Sequence, residues 1–287
     1  MPTIASFEDR LRRVASPQNA RVKQLRRAFA EAAPNAQGEV AVEGMHLVEE
    51  AIRSGVRLTT VFFSDSARER AHRLLPQLSA HTEALLLPDA VFAGAVPTET
   101  PQGVAALARV KSFTLEDFLA AEPALLVITA GVQDPGNLGA IARSAEAFHA
   151  TGLLLGEGTV SPWNWKALRA SAGSLFRLPA VKVELATALP QINARGIRLL
   201  ATSSHKGTPL PAADLRGPVA IIVGGEGAGV PKNVLSHAAE VIAIPQSSRV
   251  ESLNAAIAAS IVLYEASRQR RPPPHHEGTE DAEVGEK

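Results

Sequence analysis

Asn137, Arg143, Glu226, Ser252 and Asn254 lie in three short stretches of the chain, each placed between an apolar run that reads as a strand and a pattern that reads as a helix. The first stretch is Asp134-Pro135-Gly136-Asn137-Leu138-Gly139-Ala140-Ile141-Ala142-Arg143. The second is Val223-Gly224-Gly225-Glu226-Gly227-Ala228-Gly229-Val230-Pro231, and the third is Ile244-Pro245 followed by Glu251-Ser252-Leu253-Asn254-Ala255-Ala256. An amide both donates and accepts hydrogen bonds, a guanidinium stabilises developing negative charge, and a carboxylate can hold that guanidinium in place. Loops at the carboxyl ends of strands are where open α/β sheets bind ligands, and the glycines let a backbone approach one closely. The three stretches therefore predict one composite site.

Composition removes several alternatives. With no cysteine the chain has no disulfide, no Cys-ligated zinc or iron–sulfur cluster and no thiolate nucleophile. The eight histidines show no HExxH spacing, and His275-His276 fall in a Pro-rich tail, so no metal is expected. There is no Gly-Lys-Ser/Thr phosphate loop. Gly225-Glu226-Gly227-Ala228-Gly229 lacks the GxGxxG spacing, comes late in its unit and is followed by Pro231 at a helix start, so its plain reading is a tight turn. A Rossmann-type nucleotide site is disfavoured by the same facts.

A formal net charge of zero hides a segregation. Residues 1–30 carry Arg10, Arg12, Arg13, Arg21, Lys23, Arg26 and Arg27 against Glu8 and Asp9, whereas residues 275–287 carry five acids against Lys287. The basic stretch suits a phosphate backbone, and a solvated helix face is the alternative. The tail after Pro272-Pro273-Pro274 is expected to be disordered. No apolar run has the length of a bilayer span and no apolar signal stretch opens the chain, which predicts a cytoplasmic protein with no membrane partner.

These residues need elements to position them, and two series are visible. Helices are expected from Ser16-Pro17 to about Ala33, over Met45 to Arg53 and over Ala67 to Leu78, with strands at Glu39–Val42, Leu58–Phe63, Ala84–Leu87 and Gly103–Ala108. After a helical connection at Thr114–Ala121, apolar strands follow at Ala124–Thr129, Gly152–Leu155, Ile197–Thr202, Val219–Gly224 and Val241–Ile244, as in a parallel sheet covered on both faces. A last helix is expected from Glu251 to about Arg270. Its stripe of Leu253, Ile257, Ile261 and Tyr264 is read first as core packing and is compatible with dimer packing. The resulting division is 1–110, a linker at 111–121, 122–271, and the tail 272–287.

Taken in order, Asn137-x-Gly139-x-x-x-Arg143, Gly224-Gly225-Glu226-Gly227 with Pro231, and Ile244-Pro245 with Ser252-Leu253-Asn254-Ala255 resemble the three motifs of the SpoU (TrmH-like) branch of the SPOUT RNA methyltransferases. Lys166 and the run Arg169 to Pro179 are similar to that family as well, so the likeness covers about residues 122–270. Ser16-Pro17-x-Asn19-x-x-Val22-Lys23-x-Leu25, Val42-Glu43-Gly44 and Thr100-Pro101-Gln102-Gly103-Val104 resemble the RNA substrate-binding domain fused to many such enzymes, a fold related to ribosomal RNA-binding proteins. Two features depart from the pattern: Ser161-Pro162-Trp163-Asn164-Trp165, where relatives often carry an acid and no tryptophan, and His149 in place of a common glycine.

The resemblance implies an α/β chain with a C-terminal α/β-knot domain, its parallel sheet closed by a deep trefoil knot, and a smaller N-terminal RNA-binding domain. It implies methyl transfer from S-adenosylmethionine to a ribose 2′-hydroxyl, in ribosomal RNA before transfer RNA, by a homodimer. It casts Arg143 as activator of the hydroxyl, with Asn137, Glu226, Ser252 and Asn254 around it. A guanidinium as literal base and a guanidinium stabilising the alkoxide both remain open. The adenosine is expected against Thr202, Ser203, Gly224, Gly225, Glu226, Ile244 and Leu253, and RNA against Arg21, Lys23, Arg26, Arg27, Lys166 and Arg169. The competing class is a ribosome-associated RNA-binding protein of the same fold without catalysis.

Overall fold

A computed structural model describes residues 10–120, 122 and 124–270. The tail expected to be disordered lies outside the described residues, as do Glu8 and Asp9. Twelve strands form two sheets. The first contains β1 (Leu11–Arg13), β2 (Glu39–Glu43), β3 (Arg57–Ser64), β4 (Glu83–Leu87) and β5 (Val104–Arg109) in the order β1-β4-β3-β5-β2, parallel along β1-β4-β3 and antiparallel along β3-β5-β2. The second contains β6 (Leu125–Ala130), β7 (Gly152–Leu155), β8 (Ala180–Lys182), β9 (Arg198–Ser203), β10 (Thr208–Pro209), β11 (Val219–Gly224) and β12 (Glu240–Ala243), all parallel in the order β10-β12-β9-β11-β6-β7-β8.

The helices are α1 (Ala20–Glu31), α2 (Met45–Arg53), α3 (Arg68–Leu74), α4 (Asp89–Ala93), α5 (Leu115–Leu119), α6 (Pro135–Ala147), α7 (Trp165–Ser171), α8 (Ser174–Arg177), α9 (Leu185–Ala194), α10 (Lys232–Leu235) and α11 (Ala255–Arg270). Most expected elements are present with bounds shifted by a residue or two. The helix expected over Ala67–Leu78 is shorter: α3 ends at Leu74 and a 3₁₀ turn carries Leu75–Gln77, because Pro76 has no N–H to continue the α ladder. The last helix starts at Ala255 instead of Glu251, since the side chain of Asn254 accepts the N–H groups of Ala256 and Ile257.

The strands of the second sheet are apolar throughout because both faces are covered: all six residues of β6 and all six of β11 are buried. The chain runs outward from β6 through β7 to β8, then jumps to β9 beyond β11. Such a reversal of strand order opens a crevice at the carboxyl ends of the strands. The loops after β6, β9, β11 and β12 all open there.

The two sheets are joined by more than the linker helix α5, which is held by a reciprocal capping box between Thr114 and Asp117. One cluster of buried side chains includes Val42, Val48 and Phe63 as well as Leu125, Ile141 and Leu168. At its rim Arg177 donates to Glu50 and Ser54 of the first unit, both at 2.9 Å, and to Glu146 of the second. A Cβ on Gly173 would lie 2.8 Å from the Cβ of Glu50, so the units meet at close range.

Candidate active site

The first helix of the second unit begins with its own cap. The side chain of Asp134 accepts the N–H of Asn137 at 2.8 Å, and Pro135 occupies the first turn, where a missing N–H costs nothing. Asp134 thus fills the capping role, and the Asn137 amide is released toward the neighbouring loops. Its Nδ2 donates to Glu226 Oε1 in the glycine loop, and its Oδ1 accepts from Asn254 Nδ2 at 2.9 Å. Because a side-chain amide has both a donor end and an acceptor end, one residue ties all three sequence stretches together. Asn254 caps α11 through its own Oδ1 and reaches Asn137 through its Nδ2, so it has both roles.

The glycine loop is shaped by crowding. A Cβ on Gly224 would stand 2.1 Å from the carbonyl carbon of Gly229, and one on Gly225 would stand 2.2 Å from the carbonyl oxygen of Gly131. Gly225 N–H donates to Ala130 O and Gly229 N–H to Gly225 O, both at 3.0 Å, fastening the loop to the end of β6 and folding it on itself. The tight turn read from the sequence is therefore present, and it also walls a cavity.

That cavity measures about 560 Å³ and lies between the loops after β9, β11 and β12. Thr202, Ser203, Gly224, Gly225, Glu226, Ile244 and Leu253 all line it, as do Ser252 and Asn254. The Thr202 hydroxyl donates to Ile222 O at 3.0 Å, which sets the strand end that faces the space. Gln246, which the sequence reading passed over, also lines it; its Nε2 donates to Ser204 O at 2.9 Å while its Oε1 is buried with no donor. A cavity of this size, with mixed apolar and polar walls and an acceptor left without a donor, fits a nucleoside-sized ligand that carries N–H and O–H groups.

Arg143 stands apart. It is exposed on α6 and makes no hydrogen bond or ion pair among the described residues. Six residues of helix separate it from Asn137, a rise of about 9 Å and roughly a third of a turn off its face. Glu226 is held by Asn137 instead of by Arg143. Ser252 is exposed on the loop before α11 and is not the helix cap.

The residues expected to meet RNA divide. Arg21, Lys23 and Arg27 line a second cavity, on the first unit, whereas Arg26 points elsewhere and donates to Gly94 O at 3.0 Å. Lys166 and Arg169 are exposed and place their cations 5.5 and 5.8 Å from the ring centre of Trp165, so the unusual tryptophan segment supports basic side chains. No group of His and acidic residues among the described residues could hold a metal.

The fold and the cavity at the carboxyl ends of β9, β11 and β12 define a two-unit α/β protein with a nucleoside-sized site built by three loops of one sheet. Residues 124–264 match the SpoU rRNA Methylase family and residues 19–106 the MRM3-like substrate binding domain. The chain is 32% identical to the 23S rRNA (guanosine(2553)-2′-O)-methyltransferase RlmP of Bacillus subtilis, across 88% of this chain and 98% of that one. A crystal structure of an AdoMet-bound rRNA methyltransferase from Sinorhizobium meliloti superposes with a TM-score of 0.78 at 28% identity, covering 92% of this chain and all of the other. An RNA 2′-O ribose methyltransferase superposes with a TM-score of 0.75 at 32% identity, covering 90% and 99%. The chain belongs to the SpoU rRNA methylase family.

Proposed function

We propose that this protein transfers the methyl group of S-adenosylmethionine to a ribose 2′-hydroxyl of ribosomal RNA. The observation that carries the reading is the Asn137 amide, which joins the first helix, the glycine loop and the cap of α11 at the edge of a nucleoside-sized cavity. When bound, S-adenosylmethionine supplies a methyl carbon already activated by its sulfonium. The chain's own residues must then place the hydroxyl and help with its proton, which demands alignment more than a covalent intermediate. Thr202, Ser203, Gly224, Gly225, Ile244 and Leu253 hold the adenosine, while Asn137, Glu226, Ser252 and Asn254 shape the rim toward the ribose.

Arg143 acts on the hydroxyl, as base or as stabiliser of the alkoxide. Its lack of any partner and its distance from Asn137 along α6 favour a site in which it serves the cavity of a second copy. Three residues of α11, Ile257, Ile261 and Tyr264, are 54%, 37% and 53% exposed and supply an apolar face for that second copy. The protein is thus read as a homodimer. The segment after β12 supports the knot: it leaves the sheet outside β9, and α11 packs on α6, so it must cross the ends of β9 and β11. No helix among the described residues is long and apolar enough to cross a membrane, which accords with work on ribosomes in the cytoplasm.

The reading of residues 1–110 as the RNA-binding domain, with 111–121 as linker and 122–271 as the methyltransferase domain, accords with the two family matches and favours ribosomal over transfer RNA. Calorimetry with S-adenosylmethionine, followed by transfer of labelled methyl to total RNA, tests the assignment. Donor binding with label in ribosomal RNA at a ribose 2′-oxygen is expected. Donor binding without transfer, or RNA binding without donor binding, would establish the non-catalytic alternative.

A further inference from the structure

Two arginines of the first unit face each other across neighbouring strands, and Glu39 attracts one of them, Arg109. In the antiparallel pair β3 and β5, Arg57 stands directly opposite Arg109. Like charges opposite one another on neighbouring strands repel and destabilise a sheet. Both side chains are exposed, and neither makes a hydrogen bond or an ion pair among the described residues. Glu39 stands opposite Arg109 on the other side, in β2, but its carboxylate is buried and engaged: Gln24 Nε2 donates to it at 2.6 Å and Asn35 Nδ2 at 3.0 Å. The arginine pair is left facing outward.

What it faces is a cleft of about 880 Å³ between α1 and the ends of these strands. Arg21, Lys23 and Arg27 line it from α1, and Arg57, Arg109 and His81 line it from the sheet side. Its acids do not neutralise it. Glu31 is paired with Arg27, and Glu39 is committed to the floor. Lys23, like Arg57, makes no side-chain hydrogen bond or ion pair among the described residues. The floor is also pre-set: Glu83 accepts from Arg21 Nε at 2.8 Å, Arg21 Nη1 donates to Gln24 Oε1 at 2.9 Å, and Gln24 in turn holds Glu39. A chain of bonds of this kind fixes side chains before any ligand arrives, so the cations need little reordering on binding.

We infer that this cleft binds the phosphodiester backbone of a single-stranded segment of the substrate RNA, with Arg57 and Arg109 straddling one phosphate and Lys23 holding the next. The class of ligand follows from the lining. Guanidinium groups match phosphate oxygens in bidentate geometry, and the wall is lined by five cations with His81 as its one ring and no Phe, Tyr or Trp, which argues for backbone capture over base stacking. A phosphate also relieves the repulsion between the arginines. The inference deepens the ribosomal RNA reading and rests on it.

The test uses the full chain with Arg57→Gln, Arg109→Gln and the double variant, measured against a fluorescent oligouridylate and against protein-free ribosomal RNA at several salt concentrations. For the double variant the plot of log affinity against log salt should flatten by about 0.7, the value for one phosphate of a single strand no longer neutralised. Arg57→Gln alone removes the repulsion and keeps the attraction between Arg109 and Glu39, so its melting temperature should equal or exceed that of the starting protein, and donor affinity should be unchanged in every variant. Arg26→Gln, outside the cleft, should leave the slope as it is. An unchanged slope in the double variant overturns the inference, as does an equal loss of slope with Arg26→Gln, which would mean diffuse charge only. The binding readout does not need catalysis: a starting protein that binds RNA through this cleft but transfers no methyl group would instead overturn the proposed function.

Discussion

At the scale of single residues the site is organised by one amide. Asn137 could be picked out from its place in the first stretch, but only the structure shows that Asp134 caps the helix and leaves the Asn137 amide to join the other two stretches. The partner of Glu226 was not legible either. A carboxylate in a glycine turn suggests an arginine by charge alone, whereas the fold brings an asparagine to it from 89 positions away. Arg143, by contrast, makes no side-chain hydrogen bond or ion pair among the described residues, which leaves its guanidinium free for the role proposed for it. Arg143→Ala should leave donor affinity nearly intact by calorimetry and lower turnover by at least about a hundredfold, since the interaction is made mainly in the transition state. Near-normal single-turnover transfer by the variant would remove Arg143 from the mechanism.

At the scale of elements the apolar strands and most helices were legible because periodicity and turn residues mark them. The short edge strands β1, β8 and β10 were not: with two or three residues each, they carry no period of their own and exist through pairing with β4, β7 and β12. The stripe on α11 was legible as apolar but not as exposed. Its core-facing side is instead Ala255, Ala256, Ala259, Val262, Leu263 and Ala266, so the core reading of Ile257, Ile261 and Tyr264 is corrected. His149 explains a departure from the family pattern at the end of α6, where it adopts φ 62°, the left-handed conformation that glycine takes without a Cβ penalty. His149→Gly should therefore stabilise the protein by about 0.5 kcal/mol, the gain being partly offset by the freer unfolded chain; a fall in melting temperature would show that the imidazole contributes something else. In β2, burial pushes the Glu43 carboxyl up, outweighing the pull of Thr98, Arg169 and the Gln102 backbone. A raised carboxyl favours the folded state below the ordinary carboxylate range and loses that contribution as pH rises through the folded value. Glu43→Gln should thus melt like the starting protein in acid and above it at neutral pH; parallel melting curves across pH would refute the assignment.

At the scale of the whole molecule the basic N-terminal segment divides between ion pairs within the first unit and cations that line the cleft. Arg12, Arg13 and Arg27 are paired with Glu83, Asp65 and Glu31, and Arg10 donates to backbone carbonyls near Leu75, so much of the charge is spent inside the first unit. The basic side chains left exposed lie at the cleft and around Trp165, the two places where the proposed reading puts RNA. Under the proposed function the site is completed by a second chain: the cavity has Glu226 and Asn254, while Arg143 lies about 9 Å along α6 from the Asn137 that joins them. On α11, Ala259 is fully buried against the rest of the chain and Ala255 nearly so. The exposed Ile257 and Ile261 are the residues to charge. Ile257→Glu with Ile261→Glu should give a folded monomer by sedimentation, with transfer lost, because charge at an apolar interface core is costly. Complementation then asks which chain supplies the arginine. Arg143→Ala and Glu226→Ala should each be inactive alone; co-expressed, they form mixed dimers in which one site has the arginine of one chain and the carboxylate of the other. Random assortment should restore about a quarter of the starting activity if Arg143 serves the partner's cavity. Recovery at the background of the single variants, with mixed dimers shown to be present, would place Arg143 in the site of its own chain.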